Sequence, residues 1–221
     1  MRARIAGAFL LVLAAASAVP GWAAPAAVDE LKARAAAGER IATRQLAEAY
    51  YLGKGVEQDF REAAAWYEKA AKRGDRISQT TLGLMYMRGL GVDRSVEQAR
   101  RWWQVAAAQN DPGAQYSLGT LYFKGDGVEP NYAEAARWYR QAAMRGHVQA
   151  QENLGLMHFE GKGVTSDPRN AYYWVKVAAL QGSQTAASQL PRLASHLSRE
   201  QMLEAEQAAI TWMSSAKKLW Q

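Results

Sequence analysis

The stretch Leu82-Gly83-Leu84-Met85-Tyr86-Met87-Arg88-Gly89-Leu90-Gly91-Val92, followed by Ala99, Trp102 and Ala106-Ala107, decides the fold because its pattern returns every 36 residues. Tryptophans stand at 66, 102, 138 and 174. Glycines keep the same step at 53, 89, 125 and 161 and again at 55, 91, 127 and 163. Leu46, Leu82, Leu118 and Leu154 repeat, as do Val56, Val92, Val128 and Val164. Ala63, Ala99, Ala135 and Ala171, with the paired alanines at 70-71, 106-107, 142-143 and 178-179, complete eight identical columns in four copies. A period of this length is the signature of a solenoid, in which each unit buries its apolar face only against its neighbours.

Each unit reads as two helices around one loop. In the second unit Leu82, Met85 and Tyr86 recur at helical spacing and predict a helix A over 77–88. Gly89 falls where a left-handed C-terminal residue is required, Gly91 permits a second unusual dihedral, and Val92 folds back as an apolar plug. Ala99, Trp102, Ala106 and Ala107 then share one face of a helix B over 96–108, the alanines allowing close approach and the indole filling space between helices. Asn110-Asp111-Pro112-Gly113 breaks the chain before the next helix A, with Gly74, Gly146 and Gly182 standing where Asn110 stands.

These residues resemble the Sel-one-like repeat (SLR), a longer-looped relative of the tetratricopeptide repeat, across four copies covering residues 40–183. The resemblance implies an all-α, right-handed α/α superhelical solenoid of helix-turn-helix units whose A helices line a concave, protein-binding groove. Departures are small: Ala47 stands where a glycine follows the leucine elsewhere, and His158 replaces the tyrosine of Tyr50, Tyr86 and Tyr122. Pro168 at the start of the fourth helix B is tolerable in a first turn.

The period also organises the rest of the chain. The expected divisions are a signal peptide at 1–23, an N-terminal capping half-repeat at 24–39 and repeats at 40–75, 76–111, 112–147 and 148–183. A degenerate half-repeat with a C-terminal capping helix follows at 184–221. Arg2 and Arg4 precede an apolar run from Ile5 to Val19, too short for a membrane span, and small residues surround Ala23 and Ala24, so export with cleavage before Ala24 is expected. A retained membrane anchor is the alternative reading of that segment. Near the C-terminus Pro191 should distort or shorten a lone helix A over 186–196. Ser198 and Gln201 form an S-x-x-Q capping box before a last helix through about 217, with Met202, Ala205, Ala209, Trp212 and Met213 on its apolar face.

Composition narrows the function. Forty-four of 221 residues are alanine and none is cysteine, which favours helix and excludes disulfides, thiolate metal sites and thiol nucleophiles. The excess of 27 Lys and Arg over 21 Asp and Glu is dispersed, with no basic stripe for a nucleic acid. His147, His158 and His196 have no partner at metal-ligand spacing, and no phosphate loop is present, so neither a metal nor a cofactor is implied. Ser214-Ser215-Ala216-Lys217 matches the S-x-x-K of penicillin-interacting serine enzymes, and some cysteine-rich relatives of the repeat family are linked to β-lactams. The partner motifs S-D-N and K-T-G are absent.

What remains is the face of helix A opposite Leu46. It carries Arg44, Glu48 and Tyr51 in the first unit, Leu84, Met87 and Arg88 in the second, and Tyr116, Phe123 and Lys124 in the third; Glu152, Leu156 and Phe159, with Glu160, follow in the fourth. An apolar, aromatic and Met-containing strip rimmed by mixed charges suits an extended peptide or an amphipathic helix. The same side chains could instead fill the seam between adjacent A helices. The expectation is a periplasmic or secreted bacterial adaptor or scaffold without catalysis. It would bind other proteins or peptides, without nucleic acid or stable membrane insertion. A β-lactam-interacting or cell-wall-modifying enzyme and a structural spacer are the alternatives.

Overall fold

The computed structural model describes residues 25–219, with side chains from 27 to 215; the expected signal segment at 1–23 lies outside the described residues. Eleven helices follow one another: α1 (Pro25–Ala36), α2 (Arg40–Leu52), α3 (Phe60–Lys72), α4 (Arg76–Arg88), α5 (Val96–Ala108), α6 (Pro112–Lys124), α7 (Tyr132–Met144), α8 (Val148–Glu160), α9 (Pro168–Leu180), α10 (Gln184–Ala194) and α11 (Arg199–Leu219). Among the described residues there is no strand. The chain is an α/α solenoid in which α2, α4, α6 and α8 are the A helices of the four repeats and α3, α5, α7 and α9 the B helices.

Local chemistry ends and starts each helix where the repeat demands. Gly89 closes α4 at φ 69°, with its N–H donating to the Met85 carbonyl, and α2, α6 and α8 end the same way on Gly53, Gly125 and Gly161. The second glycine of the loop answers a different requirement. A Cβ on Gly91 would lie 2.0 Å from the Phe60 carbonyl oxygen, so the loop of one unit rests directly on the first turn of the preceding helix B. Each B helix is capped by a side-chain acceptor: Asp59, Ser95, Asn131 and Asp167. Asn110, the one non-glycine residue with positive φ among those described, sits at 64° in the column of Gly74, Gly146 and Gly182.

The core does not follow the sequence units. One cluster joins Ala99, Trp103, Ala106 and Ala107 of α5 to Ala114, Leu118 and Leu121 of α6, and Trp138 of the next helix B packs against it. Another joins α7 to α8 and is closed by Trp174 of α9. Packing units therefore straddle the repeat boundaries, and each tryptophan of the invariant column lies against the preceding unit. The fully buried side chain of helix B is one residue further on. Tyr67, Trp103, Tyr139 and Val175 are at most 3% exposed, and they face helix A of their own unit. Glycine in helix A answers that side chain: a Cβ on Gly83 would lie 2.5 Å from Trp103 Nε1, one on Gly119 2.6 Å from Tyr139 Cδ1, and one on Gly155 2.7 Å from Val175 Cγ2.

A buried polar ladder runs beside the apolar core. Gln79, Gln115 and Gln151, all at most 2% exposed, donate from Nε2 to the carbonyls of Ala71, Ala107 and Ala143 in the preceding helix B. Gln109 and Gln181 in turn donate to the Oε1 atoms of Gln79 and Gln151, at 2.7 and 2.6 Å. At the middle rung position 145 is an arginine that reaches Asn110 instead, and Gln115 Oε1 is buried without a partner.

The ends are finished differently. On α1 the tryptophan column is occupied by Glu30, whose side chain is 70% exposed, and no helix precedes α1 among the described residues. Pro191 lies inside α10, which has 11 residues where the repeat helices have 13. Ser198 and Gln201 form the capping box reciprocally, at 2.9 and 3.1 Å, and open α11. That helix lies along α9, with Trp212 edge-on to Trp174 and Lys176 and Arg169 bridged to Glu206 and Glu204. Its Ala205 and Ala209 are buried, Ala205 in a cluster with Ala171, Tyr172 and Val175 of α9.

Candidate functional site

Two clefts open in consecutive seams between A helices. The first, about 270 Å³ between α4 and α6, is lined by Leu84, Met87, Arg88, Tyr116, Ser117, Thr120, Leu121, Lys124 and Asp126, with Trp103 reaching it from α5. The second, about 310 Å³ between α6 and α8, is lined by Tyr116, Thr120, Phe123, Lys124, Asn153, Leu156, Met157, Glu160 and Lys162, with Tyr139 at its base. Tyr116, Thr120 and Lys124 belong to both, so the two form one strip across three A helices.

Their chemistry is apolar walls over a polar floor. The Tyr139 hydroxyl donates to Thr120 Oγ1 at 3.1 Å, and burial raises its pKa, keeping it protonated and able to donate. Phe123 meets Tyr132 and Tyr139 at 5.4 and 6.4 Å and also packs on the α7–α8 core, while Met87 packs on the α5–α6 core. Leu84 and Leu156 are half-buried wall residues of the first and second cleft. The charged rim is partly neutralised: Asp126 is bridged to Arg94 at 2.7 Å and Glu160 to Lys162 at 2.8 Å.

The remaining residues of the expected strip lie elsewhere. Arg44 bridges Glu48 at 2.9 Å and approaches Asp75 at 3.5 Å. Tyr51 packs edge-on against Phe60 and Tyr67 at 5.3 and 6.2 Å. Phe159 is covered by His196 at 4.9 Å and by the Arg192 guanidinium at 5.0 Å. Glu152 accepts from the Ser183 hydroxyl. Two of these contacts belong to a series of four, because position 44 of each unit reaches the N-cap of the following A helix. The pairs are Arg44 with Asp75, Thr80 with Asp111 at 2.9 Å, Tyr116 stacked on His147 at 4.4 Å, and Glu152 with Ser183. Tyr116 therefore serves a junction and both clefts at once.

Trp103, Tyr139, Thr120 and Asn153 are cleft residues that the helix A pattern did not single out. Thr120 follows Tyr116 by four residues and could have been found on the same helical face. Trp103 and Tyr139 come from B helices, where no feature of the A-helix sequence points to them.

Among the described residues no group of three or more His, Cys, Asp or Glu side chains is placed to hold a metal ion. The Ser214 hydroxyl is exposed and donates to the Ile210 carbonyl at 3.0 Å; the side chain of Lys217 lies outside the described residues. His158 is buried in the tyrosine column, and burial lowers its pKa. No described helix is long and apolar enough to cross a membrane.

A helix-turn-helix array with paired glycines at each A-helix end and clefts between consecutive A helices defines a Sel1-type solenoid. The family model of the Sel1 repeat matches residues 41–75, 77–111, 112–147 and 148–183, and the chain belongs to that family. Proteins of this repeat generally mediate protein–protein interaction and are typically non-catalytic. Among solved structures the chain is similar to a protective antigen with an SLR fold from uropathogenic Escherichia coli, at 37% identity and TM-score 0.74 over 76% of this chain and 36% of that one. A Sel1 repeat protein from Oxalobacter formigenes is 34% identical with TM-score 0.71, over 77% of this chain and 49% of that one. A Klebsiella pneumoniae chain named for Sel1 repeats shares the fold at 22% identity and TM-score 0.50, over 76% and 84%. The chain thus spans about a third and a half of the first two relatives. None of the curated proteins matches it.

Proposed function

We propose that this protein is an exported, non-catalytic adaptor that holds a segment of a partner protein across the A-helix strip of α4, α6 and α8. The observation that carries this reading is the continuity of the two clefts through Tyr116, Thr120 and Lys124. Two pockets in consecutive seams, each walled by apolar side chains, suit successive side chains of one bound segment. Export follows from the basic, apolar and small-residue pattern of residues 1–24 and places the partner in the periplasm or outside the cell.

The test is site-specific photo-cross-linking in the producing cell. A photoreactive residue at Thr120, within both clefts, should trap a discrete partner, while one at Val105, which is 46% exposed on a helix B, should not. Adding Leu84→Glu and Leu156→Glu should remove the adduct without changing the far-ultraviolet circular dichroism. Equal trapping from both positions, or an adduct that survives both glutamates, would overturn the reading.

A further inference from the structure

The rim of the two clefts has an uneven charge balance. Its carboxylates are occupied, Asp126 by Arg94 and Glu160 by Lys162. Its two other cations are not: among the described residues neither Arg88 nor Lys124 takes part in an ion pair, and both side chains are exposed. They occupy the same column, one repeat apart, in the last turns of α4 and α6. Both line the first cleft, and Lys124 lines the second as well. A ligand laid across the strip thus meets apolar walls at Leu84 and Leu156 and two uncompensated positive charges along one edge. Two point charges over side-chain-sized apolar clefts do not make the continuous cationic track that a nucleic acid backbone requires.

We infer that the occupant of this strip is an acidic linear peptide, with apolar side chains seated in the two clefts and carboxylates set against Arg88 and Lys124. This rests on the strip being the binding face. The apolar seats supply most of the affinity, since solvent-exposed ion pairs contribute little to it. The cations select sequence and speed encounter, and added salt screens them. A basic segment is disfavoured for the same reason, because the carboxylates that would receive it already hold arginine and lysine partners.

The test uses the full chain and a phage-displayed library of random peptides, with affinities of selected sequences measured by fluorescence anisotropy. Binders that require Leu84 and Leu156 should be enriched in Asp and Glu beside Leu, Met or Phe. Arg88→Glu with Lys124→Glu should weaken them about tenfold, and added salt should weaken them on the wild type. Peptides whose acids are replaced by lysine should prefer the charge-reversed protein, a rescue that a misfolded variant could not give. Neutral or basic binders that still require Leu84 and Leu156, or acidic ones indifferent to the charge reversal, would overturn the acidic specificity and leave the binding face standing. Binders indifferent to Leu84→Glu and Leu156→Glu would overturn the binding face and this inference with it.

Discussion

Replacing Gly83 by alanine tests the packing rule that links the two helices of a repeat. On a solvent-facing helix the change would stabilise by about 1 kcal/mol, because alanine is the better helix former. Here the new Cβ would sit 2.5 Å from Trp103 Nε1, 2.6 Å from Cδ1 and 3.0 Å from Cε2. The indole has little room to yield: it is 3% exposed, and its N–H donates to the Thr80 carbonyl at 3.1 Å. Overpacking of this kind costs about 1–3 kcal/mol. Displacing the ring weakens a buried hydrogen bond worth about 1 kcal/mol. The net expectation is a loss of about 2 kcal/mol in urea unfolding followed by far-ultraviolet circular dichroism. The first repeat is the exception, with Ala47 and Tyr67 buried together in its core. Gly119→Ala, whose Cβ would lie 2.6 Å from Tyr139 Cδ1, should lose stability in the same way. A neutral or stabilising Gly83→Ala would refute the argument that the helix B side chain facing helix A dictates glycine there.

Arg145→Gln should complete the polar ladder by giving Gln115 Oε1 the donor that Gln79 and Gln151 already have, raising stability by about 1 kcal/mol; an unchanged or lowered urea midpoint counts against it. Stability should also fall in mild acid. Burial lowers the pKa of His147, against an opposing pull from the Asp111 carboxylate, and burial likewise lowers that of His158. His147 Nδ1 accepts the Ala150 N–H at 3.3 Å, which requires the unprotonated nitrogen. Both histidines are thus held neutral in the folded chain, and the unfolded chain takes up protons first. Their contribution is complete above the ordinary histidine value of about 6.5 and is lost as pH falls through the lower folded-state values. Thermal melts from neutral to mildly acidic pH should show the decline, and His147→Asn with His158→Tyr should flatten it. A double variant as steep as the wild type would disprove the assignment.

The fold was legible because the 36-residue period constrains every unit at once. Gly89, Gly91, Ala99 and Leu82 each have a local physical role that can be read from one unit and checked in three others. The site was less legible because a helical wheel gives the direction of a side chain but not what stands in that direction. The strip residues Arg44 and Glu152 point away from Leu46 and meet the next N-cap; Phe159 meets Arg192 and His196. The buried column at Tyr67, Trp103, Tyr139 and Val175 was hidden for another reason. It varies in residue type, whereas the identical tryptophans beside it draw attention though three of the four are only half-buried. The glutamine ladder was equally hidden, since glutamine at 79, 115 and 151 reads as surface unless the preceding helix is in place. At the C-terminus the glycine-paired loop is missing between α10 and α11. Counting on by 36 from Trp174 then reaches Ile210, which is 43% exposed, while Trp212 makes the contact.

The four contacts between position 44 of each unit and the following N-cap also bear on self-association. The repeats share several identical apolar columns, so an A helix of a second copy would compete with α10 for its place beside α8. The junction side chains oppose this. Were the α4 or α6 of another molecule to take the place of α10 beside α8, Asp75 or Asp111 would be set against Glu152 where Ser183 now donates. Two carboxylates would share a site built for a carboxylate and a hydroxyl, and one would have to take up a proton or be held apart. At this junction the pairing of Glu152 with Ser183 thus favours the chain's own α10 over α4 or α6 of a second copy.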